Sequence, residues 1–122
     1  MVVARKITGG KYKRKGQKKK YELRGNTRKV KLREEKKKKV RGLGGNTRVV
    51  LLSGNTANVF DKTTKKSKKT KIKNVIETPA DRFLARQNIL VKGAIIETDL
   101  GKAKITNRPS QEGMIQAVLI KE

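Results

Sequence analysis

The chain has 122 residues, of which 34 are Lys or Arg and 10 are Asp or Glu, so its formal net charge is +24, and it contains neither Cys nor His. This length predicts one small domain with, at most, a tail. The missing thiols and imidazoles exclude Cys/His zinc sites, disulfide frameworks, Ser-His-Asp triads and cysteine nucleophiles, so we predict no enzymatic activity, no metal and no cofactor.

The positive charge is concentrated at the start of the chain. Residues 1–41 carry 19 basic and 3 acidic side chains, whereas residues 74–122 carry 7 and 6. A segment with that much like charge and so few apolar residues cannot offset its ordering entropy. We therefore predict a basic extension over residues 1–41 that is disordered without RNA, followed by a small domain over residues 42–122 with a basic loop at 62–73.

The basic residues of this tract are the candidate contacts to nucleic acid. Lys supplies a point charge for phosphate, and Arg can hold phosphate bidentately. The candidates are Lys13, Arg14, Lys18, Lys19, Lys20, Arg24, Arg28, Arg33, Arg41 and Arg48, with a second clamp at Lys65, Lys66, Lys68, Lys69, Lys71 and Lys73. Four consecutive lysines at residues 36–39 suit either a helix or an extended strand.

Glycines at residues 42, 44 and 45 suggest a phosphate-binding loop but do not form one. Thr47 stands where a dinucleotide fingerprint needs Gly, and no Gly-Lys-Ser/Thr follows. We expect a flexible connection whose amides can approach an RNA backbone closely. The Gly-Asn-Thr triplets that begin at Gly25, Gly45 and Gly54 are interpreted as recurrent turn-to-strand sequences. The alternative is that their Asn and Thr side chains donate to phosphate oxygens beside Arg28 and Arg48.

Short runs of Val, Ile, Leu and Thr separated by turn residues dominate after Arg48, which is typical of an all-β domain. The apolar residues alternate with lysines around Ala103, which predicts a strand with one buried face. A tight turn at Asp99-Leu100-Gly101 would give Gly101 a positive φ. The strands are predicted at Thr47–Leu52, Ala57–Phe60, Thr70–Glu77, Ala94–Thr98, Ala103–Asn107 and Met114–Lys121.

One short helix is predicted after the third of these strands. Thr78 is its expected N-cap and Pro79 its first residue, and the helix is expected to end near Gln87 with Phe83 and Leu84 facing the core. The fold class is therefore mainly β, with a small six-stranded barrel-like domain, one short helix and a long basic N-terminal extension.

Glu97 and Asp99 form the most plausible pair of acids for metal binding or acid/base chemistry. They are two positions apart on a predicted strand end, so their side chains start on one face. Lysines lie nearby in the sequence, and true catalytic dyads are rare, so surface charge balancing is the better interpretation.

No apolar run is long enough to cross a bilayer, and the first residues do not resemble a signal peptide. We therefore expect a cytoplasmic protein without a membrane partner or a small-molecule substrate.

Several motifs together resemble the S8e family of small-subunit ribosomal proteins. They are Lys20-Tyr21-Glu22-Leu23-Arg24, Asn26-Thr27-Arg28, Gly44-Gly45-Asn46, Ala57-Asn58-Val59, Glu77-Thr78-Pro79-Ala80, Lys92 to Thr98, Gly101 to Lys104 and the turn at Arg108-Pro109. The compact length resembles the archaeal form, although the family's usual Trp-Gln-Gly-Arg segment near the start is missing. The resemblance implies a β-barrel body, a basic extension threaded into ribosomal RNA, neighbouring ribosomal proteins as partners and no catalysis.

The sequence thus predicts a structural constituent of the small ribosomal subunit that binds ribosomal RNA. Three other classes of function stay open, and the weakest is an RNA-modifying enzyme that would depend on Glu97 or Asp99. An RNA chaperone or ribosome assembly factor would cycle on and off the subunit, and a DNA-compacting architectural protein would bind duplex DNA as tightly as structured RNA.

Overall fold

The computed structural model describes residues 5–11, 19, 21–22 and 27–120. Within them the chain is mainly β. The strands are β1 (Lys31–Leu32), β2 (Lys36–Arg41), β3 (Thr47–Gly54), β4 (Thr56–Asp61), β5 (Lys66–Glu77), β6 (Ile95–Thr98), β7 (Gly101–Ile105) and β8 (Gln116–Leu119), and the helices are α1 (Arg82–Arg86) and α2 (Pro109–Glu112).

Strands β4 to β8 form a closed barrel in chain order. Neighbouring strands are antiparallel except at the closure, where β4 pairs in parallel with β8 through Val59 and Ala117. Alternation sends one face of each strand inward. The barrel is filled by small and branched side chains, among them Val59, Ile72, Ile96, Ile105 and Ala117.

The predicted hairpin turn between β6 and β7 is confirmed. Thr98 is opposite Gly101, and Gly101 has a φ of 120°. The threonine hydroxyl donates to the carbonyl of Gly101 at 2.7 Å. The predicted separation of β7 into a buried apolar face and an exposed lysine face is also confirmed. Ala103 and Ile105 are buried, while Lys102 and Lys104 are exposed.

A second sheet has the order β1-β3-β2. β3 is its central strand, with β1 parallel and β2 antiparallel to it. Leu51 on β3 belongs to the same buried cluster as the barrel residues, which joins the two sheets through one core. β1 and β2 lie within the residues assigned to the basic extension. That residues 1–41 are disordered without RNA stays a prediction.

The mainly β, barrel-like fold class is confirmed, but the expected count of six barrel strands is wrong. The barrel has five strands, because the first predicted strand, β3, pairs with β1 and β2 instead of a barrel neighbour. Its position along the chain was predicted, but the sequence of β2 lacks the apolar pattern that would have shown a separate partner for β3.

The predicted helix is present as α1, but its expected cap and buried face are wrong. Asp81, not Thr78, caps it, since Asp81 Oδ1 accepts from the Phe83 amide at 2.9 Å. Phe83 is 56% exposed rather than packed in the core, whereas Leu84 is partly buried. Five residues give barely one turn, so the helix cannot present both Phe83 and Leu84 to the barrel.

The connection between β7 and β8 is fixed by Asn107 and Gly113. The Asn107 side chain donates to Met114 O and Glu112 Oε2 and accepts from the Gln116 amide, all within 3.0 Å. Gly113 ends α2 in the left-handed conformation, with φ at 72°. There α2 packs on β3, so this connection holds the second sheet against the barrel.

None of the helices formed by the described residues is both long and apolar enough to span a membrane.

Candidate nucleic-acid interface

Three lysines share the outer face of the long strand β5. Lys69 is opposite Asn58 and Lys71 is opposite Thr56, and all these side chains lie on the face that alternates with buried Ala57 and Ile72. In the pairing of β5 with β6, the register shifts between Ile72 and Asn74, where β5 has one extra residue. Lys73 lies in that irregularity, and it too is exposed.

The second predicted clamp is therefore divided between different positions. Lys69, Lys71 and Lys73 form the outer row, whereas Lys66 and Lys68 begin on the opposite face by alternation. Lys65 lies in the turn before β5 with a φ of 54°.

Strand β2 supplies a second group of cations. It is an edge strand with the sequence Lys-Lys-Lys-Lys-Val-Arg, and all five of its charged residues are exposed. Lysines on an edge strand discourage pairing with another chain. Their spacing also gives a row of positive groups beside Arg48, which is exposed on β3 opposite Val40.

Glu35 lies where the two groups of lysines meet. Its carboxylate forms an ion pair with Lys37 Nζ. The hydrogen bond and charge of Lys37 lower the pKa of Glu35, and the charge of Lys69 lowers it further. Glu35, Lys37 and Lys69 also line one cleft of about 200 Å³ between the sheets. We name the surface formed by Lys37, Lys69, Lys71 and Lys73 the basic stripe.

Acidic side chains pair with two of the four lysines of this surface. Within residues 5–11, 19, 21–22 and 27–120 the ion pairs are Lys37 with Glu35 and Lys73 with Asp99, the latter at 3.3 Å. Asp99 thus lies against a lysine, and Glu97 is opposite Lys102 in the sheet. The same residues contain no group of three or more acids that could hold a metal ion.

The other candidate contacts lie in several places. Arg33, Arg41 and Arg48 are exposed. Arg28 is exposed as well, and its Nε donates to the Ser110 carbonyl at 3.3 Å. Lys19 is exposed, and its backbone amide donates to Glu22 Oε2. Five candidates lie outside the described residues: Lys13, Arg14, Lys18, Lys20 and Arg24.

The glycine-rich segment closes the hairpin between β2 and β3. It forms a short 3-10 turn at Leu43–Gly45, in which the Gly42 amide donates to Asn46 O at 2.7 Å. The expected flexible connection is thus a turn between two paired strands.

The lysines of β2 were not among the candidate contacts, although the run at 36–39 was noted. Two features of the sequence indicated this strand: the lysine run itself and the Gly-rich turn after it, which predicts a hairpin. Arg82 and Arg86 on α1 are exposed cations that were not among the candidate contacts either.

Comparison with known proteins assigns this basic barrel to a family. The sequence pattern of the family described as ribosomal protein S8e matches residues 2–120. The chain belongs to the S8e family of ribosomal proteins.

The S8e assignment rests also on relatives of nearly equal length. The small ribosomal subunit protein eS8 of Sulfurisphaera tokodaii is 51% identical over 119 residues, which are 97% of this chain and 93% of that protein. The eS8 protein of Methanococcus aeolicus is 48% identical over 119 residues, with the same shares. That of Nanoarchaeum equitans is 45% identical over 116 residues, 95% of this chain and 91% of that protein. The predicted resemblance to archaeal S8e proteins is confirmed.

Proposed function

We propose that this S8e protein is a structural constituent of the small ribosomal subunit that binds ribosomal RNA. Membership of a ribosomal protein family, with relatives named as small-subunit proteins, supports the location. The basic stripe is the observation that carries the binding mode, because it joins cations from two sheets on one surface, where four lysines outnumber the paired carboxylates of Glu35 and Asp99.

The mechanism is electrostatic. Lys and Arg side chains that contact phosphates release condensed counterions, and the entropy of those ions contributes to affinity. The extension over residues 1–41 neutralises phosphates where RNA helices pack closely, and its ordering accompanies binding. The domain over residues 42–122 positions the extension, and its basic residues from Lys65 to Lys73, in the turn before β5 and in β5 itself, supply the second set of contacts.

No chemical step is part of this function. The carboxylates of Glu97 and Asp99 balance surface charge, and we assign neither a cofactor nor a metal. Other proteins of the small subunit adjoin the barrel, and the working location is the cytoplasmic ribosome.

The salt dependence of RNA binding tests the mechanism. Neutralisation of about 8 phosphates gives a slope of log K against log salt of roughly −6 to −7. The measurement uses the whole chain and a transcript of small-subunit ribosomal RNA. A slope shallower than −2 would falsify the electrostatic mechanism.

Two measurements separate the rival functions. A resident constituent stays at about one copy per subunit after a salt wash, whereas a chaperone or assembly factor is depleted. In a competition assay, a DNA-compacting protein binds a DNA duplex as tightly as structured RNA. We expect this protein to bind structured RNA more tightly than the DNA duplex.

A further inference from the structure

The exposed aromatic ring on α1 lies between two arginines. Phe83 is 56% exposed. The guanidinium carbon of Arg82 lies 5.8 Å from the centre of its ring, and that of Arg86 lies 5.9 Å away. Both are within the distance of cation–π contacts. An apolar ring at this exposure contributes little to the barrel core and is open to contact from outside the chain.

A cleft of about 370 Å³ adjoins the same arginines. That volume lies in the range of sites for small ligands. Its wall is formed by the end of β5, the start of α1 and the turn after it, with Asn74, Ile76, Glu77, Thr78, Arg82, Ala85, Arg86 and Asn88 as lining residues. Since Arg82 and Arg86 contact the ring and line the cleft, they link the two.

One buried polar group in the cleft wall is unsatisfied. Thr78 is 2% exposed, and its Oγ1 has no hydrogen-bond partner among the described residues. Such groups in native proteins usually have a partner, which includes ordered water or a bound ion. Asn88, across the cleft, has a φ of 52°, a conformation uncommon for residues other than glycine. The charges of the lining are two arginines against the single carboxylate of Glu77.

The cleft continues the basic stripe. Lys69, Lys71 and Lys73 precede Asn74 on the same strand, so a polyanion that follows β5 reaches the arginines of α1. This continuity favours RNA over an acidic protein segment. Within RNA, paired bases hide their faces, whereas an unstacked base can stack on an aromatic ring or a guanidinium.

We propose that Phe83, Arg82 and Arg86 form a site for one unpaired RNA nucleotide, with the base stacked on the Phe83 ring and its phosphate held by the arginines at the cleft. The site rests on the proposed function, because the stripe must first bring RNA to it. It adds what the stripe lacks, which is a preference for single-stranded RNA at one position.

The test compares two RNA probes on the whole chain. A 30-nucleotide oligouridylate, U30, offers free base faces, and its duplex with A30 does not. Phe83→Leu is expected to weaken U30 binding by about 5-fold to 100-fold, in line with the loss of one stacked base, and to change duplex binding less than about twofold. The salt slope should not change, because no charge is removed. Thermal unfolding verifies that the exposed substitution leaves the fold intact.

Matched variants make the result specific. Phe60→Leu removes the exposed ring of β4, which is 38% exposed, and should leave both affinities unchanged within about twofold. Arg82→Gln with Arg86→Gln should make the U30 slope shallower by about 0.7, the value for one phosphate, and Lys92→Gln with Arg108→Gln, which removes the same charge elsewhere, should change it less. With 4-thiouridine in U30, the main crosslink in the barrel should fall within residues 82–86.

Three results overturn the proposal. The first is an equal affinity for U30 of Phe83→Leu and the unchanged chain. The second is a loss of duplex affinity in Phe83→Leu that equals its loss of U30 affinity. The third is loss of Phe83→Leu from small subunits without any change in its U30 binding, which assigns the surface to a neighbouring protein. All three are compatible with a steep salt slope of the unchanged chain, so they are distinguishable from failure of the proposed function.

Discussion

The Nε of Arg28 donates a hydrogen bond to the backbone carbonyl of Ser110 at 3.3 Å, across 82 positions of the chain. The contact lies at the start of α2, so it fastens the approach to β1 onto the connection between β7 and β8. Arg28 was predicted to contact RNA, and its remaining N–H donors are compatible with that role. It also orients the segment that leads to the basic stripe.

Arg28→Lys separates orientation from charge. The lysine keeps the positive charge but loses the planar guanidinium. We expect a loss of at most about 1 kcal/mol in the free energy of unfolding, measured in urea, because the bond is exposed. The salt slope of RNA binding should be unchanged. A shallower slope would show that Arg28 acts mainly through phosphate.

Removal of the outer row of β5 tests the basic stripe. The triple variant Lys69→Gln, Lys71→Gln and Lys73→Gln should make the salt slope on ribosomal RNA shallower by about 2 to 3, since each lost contact removes 0.7 to 0.9. The triple variant Lys92→Gln, Lys104→Gln and Arg108→Gln removes the same charge from other exposed positions. Equal slopes for the two triple variants would contradict a localised interface.

Glu35→Gln should have opposite effects on binding and stability. The carboxylate is one of the two that pair with lysines of the stripe, so its neutralisation should tighten RNA binding at low salt. In the free protein it leaves Lys37 and Lys69 without their shared partner, so stability should fall. Tighter binding is measured in the same salt series, and an unchanged affinity would place RNA away from the junction of the two sheets.

The stability effect of Glu35 depends on pH. Lys37 and then Lys69 lower the carboxyl pKa below its ordinary value of 4.5. The stabilisation is therefore present above 4.5 and is lost as the pH falls through the lowered pKa. The two proteins should differ in their free energy of unfolding at pH 7, and the difference should shrink as the pH falls below 4.5 and the carboxyl is protonated. A difference that persists in acid would mean that the glutamine disturbs the fold by another route.

Gly113→Ala tests how α2 is seated on β3. A Cβ at this position would lie 3.0 Å from Val49 O and 3.1 Å from Val49 Cγ1, with φ at +72°. Gly93→Ala is the control, because its φ is +85° but nothing lies within 4 Å of its Cβ. The control should lose about 1–2 kcal/mol from backbone conformation alone, and Gly113→Ala should lose more. Equal losses in urea unfolding would mean that Val49 moves aside without cost.

The strands that the sequence predicted are those with apolar alternation. β4, β6 and β7 have it, because one side of each faces the barrel core. β5 begins at Lys66 rather than at the predicted Thr70, since its first residues pair only with β4 and bury no apolar side chain. β2 lacks any apolar period, so its pairing follows from the turn and from β3 rather than from its own residues.

The sequence predicted which segments carry the positive charge of the candidate site, but not which of their side chains lie together on one surface. The run between Lys65 and Lys73 was found, but only the register shows that three of its lysines share a face. The meeting of Lys37 and Lys69 at Glu35 depends on the packing of two sheets, which one-dimensional spacing does not contain. Phe83 was assigned to the core because apolar residues usually are buried.

The parallel pairing of β4 with β8 sets the order in which the molecule can be completed. During synthesis the cationic segment and β2 leave the exit tunnel first. β4 cannot complete its pairing until β8 is made, because Asn58 of β4 pairs with Gln116 of β8, nearly 60 residues downstream. Until β8 arrives, both β4 and β7 expose an open edge, which is prone to pairing with other chains. A nascent S8e chain therefore has its polyanion-binding segment available before its body is closed, and early capture by RNA would shorten the time that those open edges are unprotected.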